Sequence, residues 1–215
     1  MSIEFFCKIE NFVVNKLKIS YTILYNNKRE LSMEFEAKLI INLQNIFSSE
    51  FGISFFKLIT YMGSFVGIGL LFLIIFLKDK KLGLIYLLIS VFSAIINYLI
   101  KSLINRPRPY VSYTEIKNYL QAMGSSMPSS HSMIMGIFLI FSVYVITKFI
   151  NKNTLSKLTK IIVGIITILV LISRMVLGQH YITDIIVGFL CGIFIATMSI
   201  WLLYIKNVVK INKKR

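Results

Sequence analysis

Acidic residues are what this sequence has least of. It carries nine Asp and Glu against 24 Lys and Arg, and beyond Glu50 its only carboxylates are Asp79, Glu115 and Asp184. A two-metal hydrolytic centre needs several convergent carboxylates. Two histidines, Asp184 and at most Glu115 do not supply them, so no metal and no cofactor is expected. Cysteine is as sparse: Cys7 lies near the start and Cys191 within an oily run, with no metal-ligand spacing between them, and no chemistry is assigned to either. No repeat of solenoid period and no low-complexity tract is present. Near Met1 there is no uninterrupted apolar core of the signal-peptide kind, because Glu4, Lys8 and Glu10 break it up.

What the chain has in quantity is apolar surface. Of 215 residues, 56% are hydrophobic and 15% charged, and the mean hydropathy is +0.76, too apolar for a soluble domain. Five runs, 58–77, 82–100, 129–147, 158–177 and 185–205, are long enough to cross a hydrocarbon core of ~30 Å. In lipid each must be helical, since no water satisfies its backbone. The expected fold is therefore all-α, a polytopic membrane helix bundle of five transmembrane helices, or six if the amino-terminal segment supplies another. That segment, residues 1–50, is expected to form interfacial amphipathic helices, one over 35–47 and another over 3–19. Residues 51–206 make the transmembrane domain, and 207–215 a basic cytoplasmic tail.

A net charge of +15 in a soluble protein would suggest nucleic acid. Here the cations fall in loops, and no nucleic-acid partner is expected. Lys78, Lys80 and Lys81 close the first span, Lys148, Lys152, Lys157 and Lys160 join the third to the fourth, and Lys206, Lys210 and the last three residues follow the fifth. The positive-inside rule makes that side cytoplasmic, carboxy terminus included. Loops 101–128 and 178–184 then face outward together. The six cations of the first 38 residues sit awkwardly with this, since five spans would begin the chain outside.

Three polar clusters occupy the outward loops. In KSLINRPRPY, Lys101 and Arg108 are close to two helical turns apart, but Pro107 and Pro109 should end the helix near Asn105. These cations, with Arg106, are either interfacial anchors or ligands for an anion. In GSSMPSSHSM, Pro128 and Ser129 mark a helix start, whose unpaired N–H groups attract anions and whose first turn carries His131. Ser129 alternatively only caps. In SRMVLGQHYITD, Arg174 ends one span, Gly178 breaks it, and Asp184 opens the next. If the turn between His180 and Asp184 is helical, the carboxylate accepts Nδ1–H and leaves Nε2 free as base or nucleophile. Alternatively Arg174 and Asp184 pair as structural glue. Both histidines of the chain fall in these clusters on one membrane face. Together, three cations, a helix N-terminus and two imidazoles describe a pocket for a phosphate.

The spacing K-x6-R-P from Lys101 to Pro109, P-S-x-H from Pro128 to His131 and S-R-x5-H-x3-D from Ser173 to Asp184 resembles the three-part signature of the type-2 phosphatidic acid phosphatase superfamily, over roughly residues 50–205. That group includes bacterial lipid phosphatases and vanadium haloperoxidases. The resemblance selects Arg108 over Arg106. It implies that Lys101, Arg108 and Arg174 grip phosphoryl oxygens, with the Ser129 hydroxyl and the Ser130 backbone N–H completing the cradle. It further implies that His180 attacks phosphorus, that Asp184 orients it, and that His131 protonates the leaving group and then activates water. The family usually has Gly where this chain has Ser130. The implied activity is a metal-independent phosphatase of a membrane lipid, with phosphatidylglycerol phosphate, phosphatidic acid and undecaprenyl diphosphate as candidate substrates and the loop from Tyr110 to Met127 setting the choice. The alternative is a non-catalytic lipid-binding or transport protein with a vestigial phosphate pocket. Oligomeric state is not readable from the sequence.

Overall fold

The computed structural model describes residues 33–150 and 154–212, with side chains as far as residue 205. The chain divides into two packing units, 1–39 and 40–215. The described elements are helical: α1 (33–46), α2 (Glu50–Thr60), a 3-10 turn (Tyr61–Gly63), α3 (Phe65–Lys78), α4 (Lys80–Ile104), the single turn α5 (Pro109–Ser112), α6 (Ser130–Phe149), α7 (Thr154–Val176) and α8 (Ile182–Asn212). No strand occurs among the described residues, and the expected all-α membrane fold is what is found. The segment expected to form a helix over 3–19 lies outside the described residues. Of unit 1, the described part is helical and carries the i,i+4 pair Glu34–Lys38 at 2.9 Å.

Short polar residues start the helices where the sequence places them. Ser49, Ser64, Asp79 and Ser129 cap α2, α3, α4 and α6, each accepting a backbone N–H from the first turn. Asn105 closes α4 in the left-handed conformation at φ 46°, just ahead of Pro107. Helix α8 continues to Asn212, through much of the stretch expected as a tail.

Four helices, 80–112 with its terminal turn, α6, α7 and α8, are long and apolar enough to cross a bilayer. The first expected span differs. Rather than one helix over 58–77, it is the pair α2 and α3, bent by 49° across Tyr61–Ser64. At ~1.5 Å per residue, α3 alone reaches ~21 Å, short of a ~30 Å core. The physical reason is a backbone break: Ser64 is extended at φ −117°, ψ −166°, and its side chain re-caps the chain as α3 begins. Hydropathy registers apolar content and is blind to such a break.

The main core joins α3, α4, α6, α7 and α8, with Tyr86 against Phe141 edge-on at 5.2 Å. Helices α6 and α8 approach most closely. A Cβ on Gly188 would stand 2.4 Å from the Ser129 carbonyl oxygen, and one on Gly192 2.0 Å from that of Met133. Small residues permit this backbone-on-backbone packing, the usual basis of helix association in lipid. A second cluster of Ile53, Phe56, Val176 and Leu177 fastens α2 to the end of α7. Together these contacts bring the end of α2, the start of α6, the end of α7 and the start of α8 to one end of the bundle.

Candidate active site

The three polar clusters of the sequence meet at that end. Lys101 comes from the last turn of α4, and Arg108 does not share its helix face, because α4 stops at Ile104. Arg108 is instead buried as the residue capping α5. Its Nε and Nη2 donate to the carbonyls of Gly124 and Met123 at 3.0 and 3.1 Å, and its Nη1 to the carbonyl and side-chain oxygens of Gln179 at 3.2 and 3.3 Å. Lys101 Nζ donates to the Ser125 carbonyl at 2.6 Å. None of these cations stretches outward as an interfacial anchor. Each is turned in, holding the loop that leads from α5 to α6.

Ser129 and Ser130 sit at the entry of α6 as expected. The Ser129 hydroxyl accepts from Ser132 N–H at 3.4 Å, and its backbone N–H donates to the Asp184 carbonyl at 3.0 Å. Ser130 donates its hydroxyl to Asn97 Oδ1 at 2.6 Å, and Asn97 Nδ2 donates to the Pro128 carbonyl at 3.3 Å. His131 is half-buried in the first turn, beside Gly63. The charges of Arg174, Arg108 and Lys101 all reach it.

Arg174, fully inside the protein, comes from the last turn of α7. It does not pair with Asp184. Its Nη1 donates to Thr60 Oγ1 at 2.6 Å, while its Nε has no hydrogen-bond partner among the described residues. Gly178, at φ +72°, ends the helical path, and a Cβ there would also stand 2.2 Å from the Lys117 carbonyl oxygen. His180 follows in non-helical chain, so the condition of a helical turn between His180 and Asp184 is not met. The two side chains still approach: Nδ1 lies 3.7 Å from Asp184 Oδ2, a charge contact longer than a hydrogen bond. His180 Nδ1 has no hydrogen-bond partner among the described residues, and Oδ2 accepts the Tyr181 N–H at 2.9 Å. Burial pushes His180 down to about 3, with the Arg174 and Arg108 charges adding to the effect and Asp184 opposing it. The imidazole is therefore neutral at physiological pH.

Three participants are invisible in the motif spacing. Arg106 forms a 2.6 Å ion pair with Asp184 Oδ1. Thr60 holds Arg174. Gln44 donates to the carbonyls of Lys117 and Val176 at 2.8 and 3.1 Å and accepts the Lys117 N–H at 3.0 Å, pinning the 113–127 loop to the end of α7. Arg106 carries a charge two residues from the motif arginine, a signal available to sequence. Thr60 and Gln44 lie in runs that read as ordinary helix.

From the cluster, a cavity of about 440 Å³ extends between α3, α4 and α6. Asn97, Ser130 and His131 form its polar wall, and Phe65, Ile68 and Leu87 belong to its apolar lining. No group of three or more potential metal ligands occurs among the described residues.

A family model described as PAP2 superfamily matches residues 82–207. The chain is 33% identical over 116 residues, 53% of its length and 54% of the relative's, to phosphatidylglycerophosphatase B of Bacillus subtilis strain 168. It is 34% identical over 100 residues, 46% of its length and 42% of the relative's, to dolichyldiphosphatase of Saccharomyces cerevisiae. It spans about half the length of these curated relatives. Among solved structures, the transmembrane PAP2-type phosphatidylglycerolphosphate phosphatase of Bacillus subtilis superposes with a TM-score of 0.69 at 25% identity, covering 82% of this chain and 86% of that one. LpxE of Aquifex aeolicus gives 0.62 at 21%, covering 76% and 93%, and supports the fold.

Proposed function

This chain belongs to the PAP2 superfamily, and from that premise we propose that it is a metal-independent membrane phosphatase acting on a phosphomonoester or diphosphate lipid. The observation that carries the reading is that Lys101, Arg108, Arg174 and His180 lie at the same end of the bundle as Ser130 and His131, which line a largely apolar cavity of about 440 Å³. Three cations and the N-terminus of α6 suit a tetrahedral dianion. An apolar cavity beside them suits the hydrocarbon of the molecule that bears it, which a water-soluble substrate would not need.

In the proposed cycle, Lys101, Arg108, Arg174, the Ser129 hydroxyl and the Ser130 N–H hold the phosphoryl oxygens. His180 is suited to attack because burial keeps it neutral, with a lone pair available. Nε2 bonds to phosphorus as the P–O bond to the leaving group breaks, and His131 gives that oxygen a proton. Asp184 steadies the resulting imidazolium. His131 then takes a proton from water, whose oxygen displaces His180 and releases phosphate. The residue set supports metal independence: the one buried carboxylate at the site, Asp184, already carries Arg106 and the Tyr181 N–H. The basic residues at the far end of the bundle, Lys78, Lys80, Lys81 and Lys148, support a cytoplasmic place for that end and an extracytoplasmic one for the site.

The test is phosphate release by the purified protein in chelator against phosphatidylglycerol phosphate, phosphatidic acid and undecaprenyl diphosphate. Turnover of at least one lipid is expected. Loss of activity in chelator with recovery on adding magnesium would overturn the mechanism, and no turnover of any lipid would favour a binding or transport protein.

A further inference from the structure

Asp184 is fully buried, and a buried carboxylate without a partner is severely destabilising. Its two oxygens are treated differently. Oδ2 accepts the Tyr181 N–H at 2.9 Å and faces His180 Nδ1 at 3.7 Å. Oδ1 accepts Arg106 Nη1 at 2.6 Å. The same nitrogen donates to Thr183 Oγ1 at 2.7 Å, and the guanidinium lies over the Tyr181 ring, 4.0 Å from its centroid. These contacts fall on Tyr181, which follows His180, and on Thr183 and Asp184 in the first turn of α8. Arg106 is itself held, since its carbonyl accepts the Ser126 N–H at 2.8 Å.

We propose that Arg106 is a positioning residue of the reaction: by anchoring Oδ1 of Asp184 it aims Oδ2 at His180 and keeps this carboxylate from the phosphate-binding cations. The second half of that role follows from proximity. Asp184's charge reaches both Lys101 and Arg108. A carboxylate free to swing would compete with a phosphoryl group for them. Paired with Arg106, it serves the histidine instead. The planar guanidinium matters, because a lysine ammonium can donate to Asp184 and Thr183 as the single nitrogen Nη1 does here but cannot stack flat on Tyr181.

The assignment rests on the phosphatase reading above, and a double-mutant cycle separates the two. Steady-state rates are measured on a short-chain phosphatidic acid for the wild type, Arg106→Ala, Arg106→Lys, Asp184→Asn, the Arg106→Ala/Asp184→Asn double variant and His180→Ala. Arg106→Ala should lower kcat about 10- to 100-fold, the scale seen when an outer partner of an oriented histidine unit is lost. KM should change little, because the Arg106 guanidinium is committed to Asp184, Thr183 and the Tyr181 ring. Arg106→Lys should recover part of kcat. In the Asp184→Asn background, Arg106→Ala should add less than about twofold, since the residue it acts through is already disabled. If Arg106→Ala fails to fold, Arg106→Lys takes its place in the cycle with the same logic. An active wild type and inactive His180→Ala, with losses at Arg106 and Asp184 that multiply, or with an effect on KM alone, would overturn the assignment and leave the phosphatase reading standing. A wild type without turnover, or an active His180→Ala, would overturn that reading and the assignment with it.

Discussion

Ser129 donates its backbone N–H to the carbonyl of Asp184 at 3.0 Å. This bond ties the entry of α6 to the first turn of α8, so two of the three polar clusters share one backbone junction. The bond is possible because Gly188 and Gly192 let the two helices touch.

Gly192→Ala should therefore damage stability and activity together. Its Cβ would meet a backbone oxygen at 2.0 Å, which cannot rotate away as a side chain can. Overpacking of this kind costs about 1–3 kcal/mol. Gly69→Ala is the control, since nothing lies within 4 Å of the added carbon. It should leave the thermal midpoint in detergent unchanged or raise it, as alanine is the better helix former.

Thr60→Val should weaken substrate binding. It removes the oxygen that accepts from Arg174 Nη1 while keeping the side chain's shape. A hydrogen bond to a charged group is worth about 1.5–3 kcal/mol, so KM should rise roughly tenfold or more while kcat falls less. An unchanged KM would show that Arg174 is held without this contact.

The fold was legible because it is written in long apolar runs, and the candidate site because its charged residues interrupt them. Asn105, Ser129 and Gly178 punctuate the helices as their chemistry dictates. The break at Tyr61–Ser64 was not legible, since the stretch LITYMGSF, residues 58–65, carries apolar content through it without a proline, and with it went the position of Thr60 at the site. The pairing of Asp184 was also hidden. Sequence spacing offered Arg174 across the hairpin or His180 one turn away, whereas the chain brings in Arg106 from 78 residues earlier.

Acidification should destabilise the protein through His180. Its folded value, about 3, lies below the ordinary 6.5. The unfolded chain thus takes up a proton that the folded one refuses, and stability falls as pH drops from about 6.5 toward 3, at up to ~1.4 kcal/mol per unit. The unfolding midpoint of His180→Gln should fall less steeply over the same window. Equal slopes for the two proteins would contradict a neutral, buried His180.

The orientation can be read in cells. With Cys7 and Cys191 replaced, a cysteine at Tyr113 should react with an impermeant thiol reagent in intact cells. Labelling only after permeabilisation would place the site in the cytoplasm.

The most direct test of the central claim is to quench the turning-over enzyme with labelled lipid phosphate in chelator and look for phosphorus bound to protein. The account predicts an acid-labile label on His180, present in the wild type and absent from His180→Ala, which should also release no phosphate. Steady phosphate release by His180→Ala, or turnover with the label on another residue, would contradict it.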